Sequence, residues 1–137
     1  MTNIGILENK ISSAKKYLKI LEAYIGVTEK EITSNFEKKG SIERYLYLMT
    51  QATIDLAEAL ISYRKLRKPS SFSENFEILR DENYISNDLC TKLIAMTGFR
   101  NVLAHGYEKV DYNVLLEILD DGRNDVIDFI NIVEKII

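Results

Sequence analysis

The sequence predicts an all-α protein, an up-and-down antiparallel bundle of about four to five helices. Three observations carry this. Apolar residues recur at three- and four-residue steps along most of the chain, and no segment alternates with the two-residue period of a strand. Proline occurs once, at Pro69, and the six glycines are scattered singly, so helix interiors are little interrupted. Residues that cap helices (Thr28, Ser73, Ser86 and Asp111) stand where a new apolar stripe begins. The length of 137 residues predicts a single domain spanning 1–137. A chain of this size buries roughly 70% of its unfolded surface, enough for a core of its own.

The first helix is expected from about Ile4 to Tyr24, with Leu7, Ile11, Ala14, Leu18, Leu21 and Ile25 on one face. Lys15, Lys16 and Lys19 form its solvated side, and Gly26 and Val27 end it. Thr28 and Glu31 have the spacing of a capping box. Ile32 and Phe36 follow at helical steps, so a second helix starts there, with Gly40 expected to break or bend it. From Ser41 to about Tyr63 the periodicity is strong: Tyr45, Leu48, Met49, Ala52, Leu56, Ala59, Leu60 and Tyr63 mark a wide apolar face. Tyr45, Tyr47 and Tyr63 read as packing residues rather than base-stacking platforms. Glu43 and Arg44 read as structural or interfacial, with a supporting role at a site as the alternative.

The run Arg64-Lys65-Leu66-Arg67-Lys68 reads as a solvated helix end beside the negative end of the dipole, with phosphate binding as the alternative. Lys68 to Ser71, around Pro69, is the main loop. Ser73 is expected to cap a short helix carrying Phe76 and Leu79 and ending near Asp81-Glu82. Ser86 caps the next helix, whose stripe is Leu89, Leu93, Met96, Phe99 and Leu103. Asp111 caps the last, which carries Leu115, Ile118 or Leu119, Val126, Phe129, Ile130, Val133 and Ile136, with a kink at Gly122.

Composition narrows the function. The net charge is −3 and the isoelectric point is near 5.3, without the basic field of a general nucleic-acid binder. Any RNA contact is therefore local. A single cysteine, Cys90, excludes an internal disulfide and a cysteine-based zinc site, and its helical neighbours predict a buried thiol. No glycine-rich phosphate loop occurs, and no cofactor is expected. No apolar run approaches the ~18 residues of a membrane span. Glu8 and Lys10 interrupt the start of the chain, so no secretory leader is expected and a cytoplasmic location is predicted.

The stretch from Thr97 to Tyr107 holds the chemistry. It contains His105, the protein's one histidine. Positions four apart on a helix differ by about 40°, so Asn101 and His105 share a side, flanked by Arg100. Gly106 is placed to stop this helix, and Tyr107 then stands beyond its end. Imidazole moves protons near neutral pH, and a nearby guanidinium favours its neutral, basic form. Arg100 can hold a phosphate with paired donors, and Asn101 can orient the imidazole. These groups suit attack of a ribose 2′-hydroxyl on its own phosphodiester, which needs no metal. Spacing alone leaves open the bland alternative: a histidine serving as a dipole partner, an arginine on the surface and a packed tyrosine.

The string Arg100-Asn101-x-x-x-His105-x-Tyr107 resembles the signature of the HEPN superfamily and, within it, the HepT-like toxins. The similarity extends to Glu43-Arg44-Tyr45-Leu46 with Gln51-Ala52-Thr53-Ile54-Asp55-Leu56-Ala57, to Pro69 with Ser73–Leu79, and to Val110-Asp111 opening the last helix. The resemblance implies a helical bundle and a homodimer whose two motif helices meet across one cleft. It implies a ribonuclease with Arg100, Asn101 and His105 as catalytic residues. It further implies a nucleotidyltransferase antitoxin of the MntA type, which silences the toxin by transferring AMP onto Tyr107. The competing reading is a non-catalytic HEPN subunit that binds nucleotide or substrate for a separate nucleotidyltransferase; a plain helical interaction protein is the third.

Overall fold

The computed structural model describes residues 3–105 and 111–137, with the side chain of His105 excepted. All its regular elements are helical. Helix α1 spans Asn3–Leu21 and ends in a 3₁₀ turn, Glu22–Tyr24. Short α2 is Glu29–Ser34, long α3 is Phe36–Tyr63 and α4 is Phe72–Asp81. Helix α5, Asn87–Thr97, is followed closely by α6, Arg100–His105. The last rod is α7, Tyr112–Glu117, a π-helical turn, Ile118–Gly122, and α8, Arg123–Ile136. With α5–α6 and α7–α8 each taken as one interrupted rod, five main helices and the short α2 make the all-α bundle that the sequence predicts.

Burial explains the assembly. Helix α1 buries Leu7, Ile11, Ala14, Leu18 and Leu21, the predicted stripe apart from its last member, and lies along α3. Ile25, beyond the 3₁₀ turn, is exposed. Helix α3 buries residues on several sides, among them Ile42, Leu46, Met49, Ile54, Leu56 and Leu60, because α1, α4, α5 and α6 all pack on it. Two wholly buried hydroxyls in α3 would each cost free energy if left unpaired. Both are satisfied: Thr50 donates to the Leu46 carbonyl and Thr53 to the Met49 carbonyl, each at 2.8 Å. Phe76 of α4 meets Phe129 of α8 edge to face, with centroids 6.0 Å apart. The Cys90 thiol is buried, and burial pushes its pKa up, which keeps it inert.

Several ends form as predicted. Thr28 accepts from the Glu31 N–H at 3.1 Å, Ser86 from Leu89 at 3.0 Å and Asp111 from Asn113 at 3.1 Å. Gly26 takes φ +84°, a conformation that glycine adopts freely. At Gly122, where a kink is expected, the helix passes through a π-helical turn.

Four expectations need correction. The break before the long helix falls at Asn35, whose side chain accepts from the Lys38 N–H at 3.0 Å, and Gly40 lies inside an unbroken α3. Phe36 therefore starts a new helix rather than continuing that of Ile32, with 86% of its surface exposed. The cap of α4 is Ser71 rather than Ser73, with its hydroxyl oxygen 3.1 Å from the Glu74 N–H. The predicted motif helix is interrupted by a turn at Gly98-Phe99.

The basic run after α3 is tied to the bundle. Arg64 donates to the Tyr84 hydroxyl at 2.7 Å, and Arg67 pairs with Glu74 and Asp81 at 3.4 and 3.2 Å. Lys65 closes the helix at φ +56°, with Leu66 N–H bonding back to the Ile61 carbonyl at 3.0 Å.

Candidate active site

The break at Gly98-Phe99 sets the aim of the motif. Gly98 donates to the carbonyls of both Ile94 and Ala95, and Phe99 to Met96, tightening the end of α5. Helix α6 starts afresh, with Leu103 buried and Phe99 and Val102 half-buried against the core. Anchored this way, α6 lies against α3, and Arg100 at its first position reaches the α3 surface.

Each nitrogen of the Arg100 guanidinium meets a different acceptor. Nε donates to Gln51 Oε1. Nη1 donates to Asn101 Oδ1 at 3.0 Å, and Nη2 lies 3.5 Å from the Tyr47 hydroxyl, a weak contact. Two rings confine the group: its central carbon is 5.5 Å from the Tyr47 centroid and 5.0 Å from that of Phe72, both within cation–π range. Gln51 is itself held, donating through Nε2 to Asp55 Oδ1 at 2.9 Å. A guanidinium carries five N–H donors. Among the described residues, three of these are directed at protein oxygens, so each terminal nitrogen keeps a second N–H for an anion.

The floor under Arg100 is one line of α3. Glu43, Tyr47, Gln51 and Asp55 follow at four-residue steps and so lie on neighbouring turns of one side. Arg44 adds a second cation 5.5 Å from the Tyr47 centroid. Two guanidinium groups therefore flank Tyr47, with the carboxyl groups of Glu43 and Asp55 on the same line of the helix. Glu43 is buried, and desolvation raises its pKa against the pull of Lys39. A separate cavity of about 550 Å³ runs past Met96 and Phe99 to Glu117, Asp121, Asp125 and Asp128. Its lining carries four carboxylates and one lysine, Lys92, a polarity opposite to that of the Arg100 site.

Of the predicted site residues, Arg100 and Asn101 stand together, and Asn101 uses its carbonyl oxygen on Arg100. The expected contact between Asn101 and His105 involves a side chain outside the described residues, as do Gly106 and Tyr107 themselves. The backbone of His105 closes α6. Sequence reasoning did not bring Gln51, Asp55 and Phe72 to the surroundings of Arg100, and it read Tyr47 as packing rather than base stacking. The available signal was a polar line, Glu43, Gln51 and Asp55, beside an apolar stripe on one helix. For Phe72, far away in sequence, there was none.

Known proteins similar to this chain share its family and its fold. The family described as Ribonuclease HepT-like matches residues 14–135. A protein from Aphanizomenon flos-aquae named tRNA nuclease HepT is 31% identical over 115 residues, 82% of this chain and 78% of that protein. One from Shewanella oneidensis named mRNA nuclease HepT is 25% identical over 129 residues, 94% of this chain and 96% of that one. Among solved structures, the tri-AMPylated Shewanella oneidensis HEPN toxin in complex with MNT antitoxin superposes with a TM-score of 0.84 at 25% identity, covering 95% of this chain and 97% of that one. A toxin–antitoxin structure with AMP-PNP shares the fold, with a TM-score of 0.86 at 24% identity over 96% and 98% of the two chains.

Proposed function

The chain belongs to the HepT-like ribonuclease family, and from that membership and the held arginine we propose that it is a metal-independent endoribonuclease toxin of a toxin–antitoxin pair. The observation that carries the reading is the Arg100 guanidinium, confined between Tyr47 and Phe72 at the start of the helix that ends at His105. A surface arginine serving only solubility has no need of an acceptor on every nitrogen.

Cleavage in this reading uses two copies of one 137-residue domain. A 2′-hydroxyl must lose a proton as it attacks, and the departing 5′-oxygen must gain one. One chain has one histidine; a two-fold dimer brings a second to the same cleft. The His105 of one copy takes the 2′-hydroxyl proton while the O2′–P bond forms. The His105 of the other protonates O5′ as the P–O5′ bond breaks, leaving a 2′,3′-cyclic phosphate and a free 5′-hydroxyl. Arg100 holds the non-bridging oxygens as their charge grows. Asn101 fixes Arg100 on one side and aligns the imidazole on the other. No step requires a metal-bound water.

Silencing follows from charge. Transfer of AMP from ATP onto Tyr107, by a cognate MntA-like nucleotidyltransferase, would place a bulky phosphodiester two residues beyond His105. That anion repels RNA and competes for Arg100. Among the described residues no helix is long and apolar enough to cross a membrane.

Expression without the antitoxin tests the reading. The wild-type chain is expected to arrest growth, while folded Arg100→Ala and His105→Ala chains are harmless. Equal behaviour of all three would instead favour a non-catalytic subunit. Mass spectrometry after incubation with the antitoxin and ATP should find AMP on Tyr107; an unmodified Tyr107 would remove the silencing step.

A further inference from the structure

We propose that Gln51 and Asp55 are positioning residues: Asp55 locks the orientation of the Gln51 amide, and that amide fixes the rotation of the Arg100 guanidinium toward the scissile phosphate. The proposal rests on the ribonuclease reading above.

An ionised carboxylate only accepts hydrogen bonds. Asp55 Oδ1 lies 2.9 Å from Gln51 Nε2, so the amino end of the amide must point to Asp55. The carbonyl end is then forced to face Arg100, where it accepts from Nε. Were the amide reversed, its N–H₂ would confront the guanidinium, donor against donor. The lock works because an amide has two unlike ends and Asp55 can take only one of them.

The Nε bond matters more than its count suggests. Nε lies on the stem side of the guanidinium plane, so a bond there sets the rotation of the whole planar fork. Tyr47 and Phe72 restrict the fork from its neighbouring space, and Asn101 takes one N–H of Nη1. With Nε fixed, the remaining terminal N–H groups are held in set directions, which is the preorganisation that transition-state charge rewards. Gln51 and Asp55 are both half-buried on adjacent turns of α3, the longest helix of the bundle. The lock is therefore built on a rigid element.

The test uses the full-length protein with bulk tRNA and an in vitro transcribed mRNA as probes. Gln51→Leu keeps the volume and removes the acceptor; Asp55→Leu frees the amide to reverse. Each is expected to lower kcat about 10-fold, the low end for a hydrogen bond to a charged group, with a smaller change in KM. The discriminating variant is the double change Gln51→Glu with Asp55→Leu. A carboxylate at 51 accepts at either end and needs no lock, so activity should recover toward wild type. A purely structural role predicts instead that the double variant is at least as impaired as Asp55→Leu.

A second measurement is independent of catalysis. The Arg100 Nε–H signal in NMR should exchange slowly with water in the wild type, quickly in Asp55→Leu and slowly again in the double variant. If wild type and Arg100→Ala cleave neither RNA, the ribonuclease reading fails, and the exchange pattern still tests the lock. If wild type cleaves, Arg100→Ala does not, and Gln51→Leu and Asp55→Leu behave as wild type, the lock alone is overturned.

Discussion

Replacing Arg100 by lysine keeps the charge and removes the shape. The guanidinium addresses Gln51, Asn101 and Tyr47 through three different nitrogens, and its flat face lies near two rings. An ammonium group is a single point that can satisfy one of those acceptors and stacks less well. Gln51, still oriented by Asp55, would present a half-buried carbonyl to a donor that no longer reaches it squarely. The loss of stacking and of one charge-assisted hydrogen bond costs about 1–2 kcal/mol of stability. The melting temperature should then fall by about 3–8 °C. Activity should suffer more, because the phosphate loses a paired donor when its charge is greatest. One such donor is worth about 2.7–4 kcal/mol, a fall of about 10²–10³ in kcat. Single-turnover cleavage of labelled RNA, beside a thermal melt, reads both quantities. If Arg100→Lys cleaves within a few-fold of wild type, charge alone suffices and the argument from the cradle is refuted.

Two other predictions concern stability. Lys65 closes α3 in the left-handed region, so Lys65→Gly should stabilise the protein by about 0.5–1 kcal/mol, measured by urea denaturation. Burial raises the Glu43 pKa, so its ionised form opposes folding; that penalty is present above the folded pKa and fades as pH falls through it toward the unfolded value. Glu43→Gln should therefore melt higher than wild type at pH 8, with the gap closing as the pH is lowered into the carboxylate range.

The parts of this molecule that could be read in advance are those written in local spacing. The α1 stripe was legible because Leu7, Ile11, Ala14, Leu18 and Leu21 recur at heptad-like steps, and all are buried. Ser86 and Asp111 announced their helices because a cap acts within three residues of itself. Asn35 was hidden because Ile32 and Phe36 are one helical turn apart and suggest continuity. A side-chain cap at Asn35 outweighed that periodicity. Gly40 costs a helix interior only about 1 kcal/mol, which the packing of α3 offsets. At Ser71 and Ser73 two competent caps lay two residues apart. The one used also places Glu74 within reach of Ser70, with the Ser70 hydroxyl 2.9 Å from its carboxylate.

The site divides along the same line. Arg100 and Asn101 are neighbours in sequence and were found by pattern. The partners that hold Arg100 come from α3 and α4, 49 residues away for Gln51 and 53 for Tyr47. Nothing local at Gln51 distinguishes an amide that orients an arginine from one that faces water. Only the packing of α6 on α3 does.

In the proposed cleavage two imidazoles in one shared cleft divide the work of base and acid. The most direct measurement is the cleavage rate of purified mixed dimers, one wild-type chain with one His105→Ala chain, isolated by two different tags. A single shared site predicts that the mixed dimer is as inactive as the doubly substituted one. Half the wild-type rate would mean that each chain carries its own complete site, and would contradict the account.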